Sequence, residues 1–186
     1  MAASSRISSI LRADPLRWHL LGVVEALDLQ DCWIGAGFVR NAVWDHLHQR
    51  SIAPPNADVD VIWYDPHCTD AAEDRKLEAH LQALEPEITW SVKNQARMHH
   101  RNGDAPYASA TDAMRYWPET ATAVAARRRG SDGCDIAAPF GLDDLFKLVV
   151  RPTPRFRVEK RTIYEDRICT KGWFDYWPLL TRAEEG

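Results

Sequence analysis

Two aspartates, Asp58 and Asp60, are separated by one valine in the run Asp58-Val59-Asp60-Val61-Ile62-Trp63-Tyr64. The β-branched and aromatic residues predict a strand, and alternation along a strand sends both carboxylates to one face. Like charges held that close repel and raise one pKa, so the pair is costly unless a cation lies between them. Mg²⁺ suits the position, because it takes one or two carboxylates and completes its shell with water and substrate phosphates; Mn²⁺ would serve in the same way. The plain alternative is a solvated edge strand, so the aspartates are weighed with what stands upstream.

Upstream, Gly35 and Gly37 follow the apolar run Cys32-Trp33-Ile34 and precede Val39, Val43 and Leu47. That four-residue recurrence is the period of a helix face. A strand therefore enters a helix through a glycine turn. Glycine lets backbone approach a ligand and tolerates positive φ, and the first N–H groups of a helix point outward without partners, which attracts phosphate. Arg40 in the first helical turn adds a fork of donors for the same anion. Such a turn is often mere punctuation between elements; beside two carboxylates it reads as a site for a nucleoside triphosphate and its metal ion.

The order Gly-Ala-Gly-Phe-Val-Arg-Asn-Ala-Val-Trp, then Asp-Val-Asp-Val, resembles the head of the polymerase-β-type nucleotidyltransferases, above all the CCA-adding and poly(A) polymerase branch. The resemblance implies that Gly35 and Gly37 hold the triphosphate, that Arg40 and Asn41 match the Arg-Asp after the turn, and that Asp58 and Asp60 are the catalytic metal carboxylates. Asn41 departs from the pattern, since an amide cannot supply the charge of an aspartate. A closer similarity, to a small family of stand-alone, mostly bacterial nucleotidyltransferase-like proteins, spans roughly residues 15 to 180. It rests on Trp90 to His99, on Tyr107, Ser109 and Asp112, on Trp-Pro-Glu-Thr from Trp117 and on Ala-Pro-Phe-Gly-Leu-Asp-Asp-Leu-Phe from Ala138. It implies an α/β (α+β) fold, a short mixed sheet with flanking helices. It also implies metal-dependent transfer of a nucleoside monophosphate from an NTP to an acceptor that is a small molecule, RNA or protein.

That family places a third carboxylate on the next strand, expected over Ile88 to Met98. No acid occurs between Ile88 and Arg101. Lys93, Asn94 and Arg97 stand there instead and are expected to grip phosphate or substrate with Gln95. Two outcomes follow: the general base comes from elsewhere, with Asp104 and Asp135 as candidates, or the chain is a catalytically impaired nucleotide-binding or interaction module with the same fold.

The remaining elements must position these groups. The 186 residues, with net charge −4, suffice for one core and give no global pull toward nucleic acid. Four scattered cysteines without a Cys-x-x-Cys pair fit a reducing cytoplasm, and no apolar run approaches a membrane span. Residues 1–13 are expected as a flexible N-terminus, and 14–186 as a single domain with a helical C-terminal part. Asp14 and Pro15 open a helix as cap and first residue. The loop Arg50 to Asn56, with two prolines, is expected at the mouth of the site. An acidic helix to Leu84 has Leu77, Leu81 and Leu84 as its buried stripe. Residues 127–133 read as a hairpin, and Phe140 to Val150 as one helix started by Asp143 and Asp144. Lys147 to Arg161 carries six basic residues against Glu159 and is read as a solvated segment before phosphate or RNA binding is invoked. The histidines His46, His48, His67, His99 and His100 are too dispersed to suggest zinc.

Overall fold

The structure, a computed structural model, describes residues 2–55 and 57–183; Asn56 of the proline loop and the last three residues of the expected domain lie outside them. In chain order come α1 (Ala3–Ala13), α2 (Pro15–Glu25), β1 (Trp33–Gly35), α3 (Gly37–Leu47), β2 (Val59–Trp63), α4 (Ala71–Leu84), β3 (Trp90–Asn94), α5 (Gln95–Asn102) and α6 (Ala110–Ala113), which runs into a 3₁₀ turn over Met114–Tyr116. The second half adds β4 (Ala125–Arg129), β5 (Gly133–Ala137), α7 (Asp143–Phe146), β6 (Val149–Val150), α8 (Pro154–Arg157), α9 (Arg161–Lys171), α10 (Trp173–Tyr176) and β7 (Thr181–Arg182). The main sheet has the order β3-β2-β1-β4-β5. Only β2 and β3 run parallel in it, joined by the crossover helix α4, so the sheet is mixed as expected.

Alternation sorts the two sides of that sheet. Ile34, Val59, Val61, Trp63, Val92 and Ala126 face the main core with Leu20, Leu21, Phe38, Val43 and Leu81 from the helices. The other face carries Trp33, Ile62, Ala125 and Ala137, covered by Ala110 and Met114; this is the face of Asp60. Asp14 caps α2 as expected, accepting from the backbone N–H of Arg17 at 3.0 Å. In the C-terminal part the fully buried Trp44 of α3 meets Trp173 and Trp177 edge-on at 5.6 and 5.1 Å, and the Trp177 Nε1–H donates to Asp45 at 2.8 Å.

Several expectations are corrected. The expected flexible residues 3–13 form α1, because Ile7 and Leu11 recur at helical spacing and are completely buried. The strand expected to reach Met98 stops at Asn94, whose side chain accepts from the Ala96 N–H at 3.0 Å and caps α5. His99 and His100 sit on that helix with ring centroids 3.8 Å apart. Leu84, at the end of α4, is 52% exposed, whereas Asp74 of the same helix is buried and accepts from the Trp63 Nε1–H and the Asn94 N–H at 2.9 Å each. The single helix expected over Phe140 to Val150 ends at Phe146: Leu148 takes φ 58, which breaks the helix. The chain then emerges as β6, paired in parallel with β7.

Candidate active site

Register brings the two motifs together. Gly35, the last residue of β1, pairs with Asp60 across the antiparallel ladder, and Asp60 pairs with Ser91 across the parallel one. The next row on this face is Trp33, Ile62 and Lys93. A cleft of about 240 Å³ opens over these rows, lined by Ala36, Asp60, Ser91, Lys93, Trp117 and Arg167 among others. Asp60 is partly buried and Asp58, just before the strand, is exposed. Burial and then the Asp58 charge push the Asp60 carboxyl above its ordinary pKa, against the opposing pull of Arg167, a Ser91 hydrogen bond and Arg40.

The turn owes its shape to Ala36 more than to its glycines. Ala36 takes φ 54, ψ −125, while neither Gly35 nor Gly37 has positive φ. The Ala36 N–H donates to the Val124 carbonyl at 2.9 Å, and its own carbonyl accepts from Arg40 N–H at 3.0 Å to start α3. No side chain caps that N-terminus. A Cβ at Gly35 would lie 2.7 Å from the Trp117 ring, so the glycine there admits the indole; at Gly37 the nearest atoms are 3.6 Å away.

The other expected site residues separate into two groups. Arg40 is buried behind the turn: Nε and Nη2 donate to Asn41 Oδ1 at 3.1 and 2.8 Å, and Nη1 donates to the Thr122 hydroxyl at 2.8 Å. Its guanidinium lies over Trp173 and Trp44, 4.2 and 4.8 Å from the ring centroids. Burial pulls its pKa down to about 10, with the Arg167 charge in the same direction and Glu119 and Asp60 opposing. Lys93 lines the cleft while donating to the Val92 carbonyl at 2.9 Å and to Glu78 at 3.3 Å. Asn94 and Arg97 turn elsewhere. The fully buried Asn94 donates to the Asp65 and Cys68 carbonyls at 2.9 and 2.6 Å, and Arg97 is ion-paired with Asp74.

The proposed bases do not line the cleft. Asp104 is engaged by Tyr107 and Arg155. Asp135, on the far edge strand, is held by Arg129 and Arg127 at 3.0 Å each, which lowers its pKa. Among the described residues no three His, Cys, Asp or Glu side chains form a metal-ligating group. The donors nevertheless fit Mg²⁺ bound with a phosphate ligand: two hard carboxylates two residues apart, one on β2 and one just before it, the former raised in pKa by burial and by the charge of the latter.

Sequence reasoning missed four lining or supporting residues. Ser91 was readable from strand register alone. Trp117 and Glu119 belong to Trp-Pro-Glu-Thr, which entered only as part of the resemblance with no role attached, and nothing local marks Arg167.

A family model described as Nucleotidyltransferase matches residues 22–182. The chain belongs to the nucleotidyltransferase family. A solved structure described as an NMR structure that reveals a CCA-adding enzyme head domain is 34% identical, with TM-score 0.84 over 97% of this chain and 96% of the other. The complex of a CCA-adding enzyme with CTP matches at TM-score 0.62 and 16% identity, over 96% of this nucleotidyltransferase but 43% of the enzyme. A complex with ATP gives TM-score 0.51 and 15% identity, over 96% of this chain and 42% of that one. Those two likenesses speak for the fold. The comparison with curated proteins gives no match. In this nucleotidyltransferase the family match takes in the turn, both aspartates, Glu119 and Arg167. No helix among the described residues is long and apolar enough to cross a membrane.

Proposed function

We propose that this nucleotidyltransferase moves a nucleoside monophosphate from an NTP to an acceptor hydroxyl or phosphate and releases pyrophosphate. The observation that carries the reading is the Gly35–Asp60 register, which sets an uncapped helix N-terminus beside a carboxylate raised in pKa. Gly35, Gly37 and the free N–H groups of α3 cradle the phosphates. Asp58 and Asp60 hold Mg²⁺, which when bound supplies charge neutralisation at the reacting phosphate. Arg40 adds positive potential from behind the turn, oriented by Asn41, and Lys93 adds it from the cleft wall.

A second reading is a nucleotide-binding module without efficient transfer. It is favoured by Ser91, which stands in register with Asp60 on the strand where the resemblance puts a third acid. Calorimetric titration with each NTP, beginning with CTP and ATP, with and without Mg²⁺, tests both readings beside an Asp58→Asn/Asp60→Asn variant. Micromolar binding that requires metal and aspartates supports the site. Pyrophosphate release with an RNA, small-molecule or protein acceptor then separates transferase from module. No binding by any NTP refutes both.

A further inference from the structure

Arg167 reaches the cleft from α9, far along the chain from the turn and the aspartates. Its Nε–H donates to Glu119 Oε1 at 2.7 Å. Glu119 is fully buried, and its second oxygen, Oε2, is buried with no hydrogen-bond partner. The Arg167 side chain keeps 30% of its surface exposed, and among the described residues its two η-nitrogens make no hydrogen bond. The guanidinium also packs over Trp173, 5.3 Å from the ring centroid, beside Arg40 on the same indole. One edge of the fork is thus anchored and the other faces the cleft that contains Asp60.

A buried carboxylate needs a cation, and Glu119 has two guanidiniums in its surroundings, Arg40 and Arg167. Arg40 directs Nε, Nη1 and Nη2 to Asn41 and Thr122. Arg167 keeps free donors, held on the cleft side by a carboxylate that itself is out of reach of solvent. Free, oriented guanidinium N–H groups match phosphate oxygens in pairs.

We propose that Arg167 binds the β- and γ-phosphates of the triphosphate, and therefore the departing pyrophosphate, with Glu119 as its positioning residue. This deepens the function proposed above and rests on it for the identity of the nucleotide. The geometry favours phosphate over base or ribose, because Arg167 and Asp60 line the same cleft, where the metal and phosphates would gather.

The test measures affinities for Mg²⁺–CTP, Mg²⁺–ATP, the corresponding monophosphates and inorganic pyrophosphate in the wild type, Arg167→Lys, Arg167→Ala and Glu119→Gln/Arg167→Ala. The double variant is needed because Arg167→Ala alone would strand the buried Glu119 charge; thermal melting identifies variants that stay folded. We expect triphosphate and pyrophosphate affinity to fall ten- to hundredfold in Arg167→Ala and the double variant, monophosphate affinity to change less than twofold, and Arg167→Lys to fall between. Glu119→Gln alone should weaken pyrophosphate binding several-fold with a stable fold, a selectivity that a merely structural role would not show. Triphosphate binding that is tight in wild type and within twofold in the folded variants overturns the inference and spares the proposed function. Pyrophosphate binding that depends on Arg167 without any NTP binding does the reverse. Absence of both overturns both.

Discussion

Replacing Asp60 with Asn should stabilise the metal-free protein and abolish transfer. Asp60 lies on β2 and Asp58 just before it, and two residues of extended chain separate them by roughly 7 Å. At an effective dielectric constant of about 20 to 80 their repulsion is roughly 0.6–2.4 kcal/mol, and the exposure of Asp58 favours the lower half. Burial of Asp60 adds to this cost, and the pull of Arg167 and Arg40 reduces it. An Asn side chain can still accept the Ser91 hydrogen bond. The net gain should be about 1 kcal/mol, or roughly 2–4 °C in melting temperature for a chain of this size. Sign follows from linkage: a carboxyl whose folded pKa is raised contributes its stability below its unfolded pKa and loses it as pH rises through the folded value. The advantage of Asn should therefore be largest where Asp60 is ionised and shrink as pH falls through its raised pKa toward the ordinary carboxyl value of 3.8. Thermal melts of both proteins from pH 4 to pH 8, with and without Mg²⁺, measure it. Mg²⁺ should raise the wild-type melting temperature more than the variant's. A variant less stable than wild type at pH 7, or an offset that does not change with pH, would refute the reasoning.

The two glycines of the turn should behave differently. Gly35→Ala, whose Cβ would meet the Trp117 ring at 2.7 Å, should destabilise by roughly 1–3 kcal/mol as an overpacked site and change tryptophan fluorescence; Gly37→Ala, with 3.6 Å of room, should shift stability by less than about 0.5 kcal/mol. Equal effects in chemical denaturation would contradict the packing described. Asp74→Ala should cost about 3–5 kcal/mol, since it leaves the Trp63 and Asn94 donors and Arg97 without their acceptor; a loss below 1 kcal/mol would show that Asp74 is not the hub that links α4 to β3. Trp173→Ala should cost roughly 3–5 kcal/mol in the same assay and also weaken triphosphate binding, because both Arg40 and Arg167 rest on this ring. Unchanged affinity in a folded variant would argue against that coupling.

What was readable in the sequence was local. The strand that carries Asp60 was legible from its alternating β-branched and aromatic residues, though it begins at Val59 and leaves Asp58 just before it, and the glycine turn declared itself through apolar residues of one period giving way to those of another. Asn94 could have been read as the cap of α5, since good helix formers follow it; the apolar alternation of Trp90 and Val92 instead carried the strand reading too far. Arg40 illustrates what is not local. Its place in the first helical turn suggested a solvent-facing phosphate donor, and it is buried because Trp173 and Thr122, distant in sequence, close over it. Leu148 is similar: no residue type announces a leucine at φ 58, which the β6–β7 pairing around it sustains.

The same long-range contacts explain why the C-terminal helices belong to the site. Glu119 lies in a loop tied to the β6–α8 segment, where the Thr120 N–H donates to the Arg151 carbonyl at 3.0 Å and the Thr153 N–H to the Pro118 carbonyl at 2.9 Å. The Thr153 hydroxyl adds a bond to the Trp117 carbonyl at 2.7 Å. Trp117 in turn sets its ring against Gly35. A chain of packed and hydrogen-bonded groups thus runs from α8 through residues 117–120 to the glycine turn, while Arg167 and Trp173 reach it from α9 and α10. The turn and Asp60 sit on β1, α3 and the neighbouring β2; the later half of the chain fixes the indole, the buried carboxylate and the guanidinium that give the cleft its other wall. On the proposed function, a substitution in α8 or α9 should consequently alter nucleotide binding without touching the sequence motif that first marked the site.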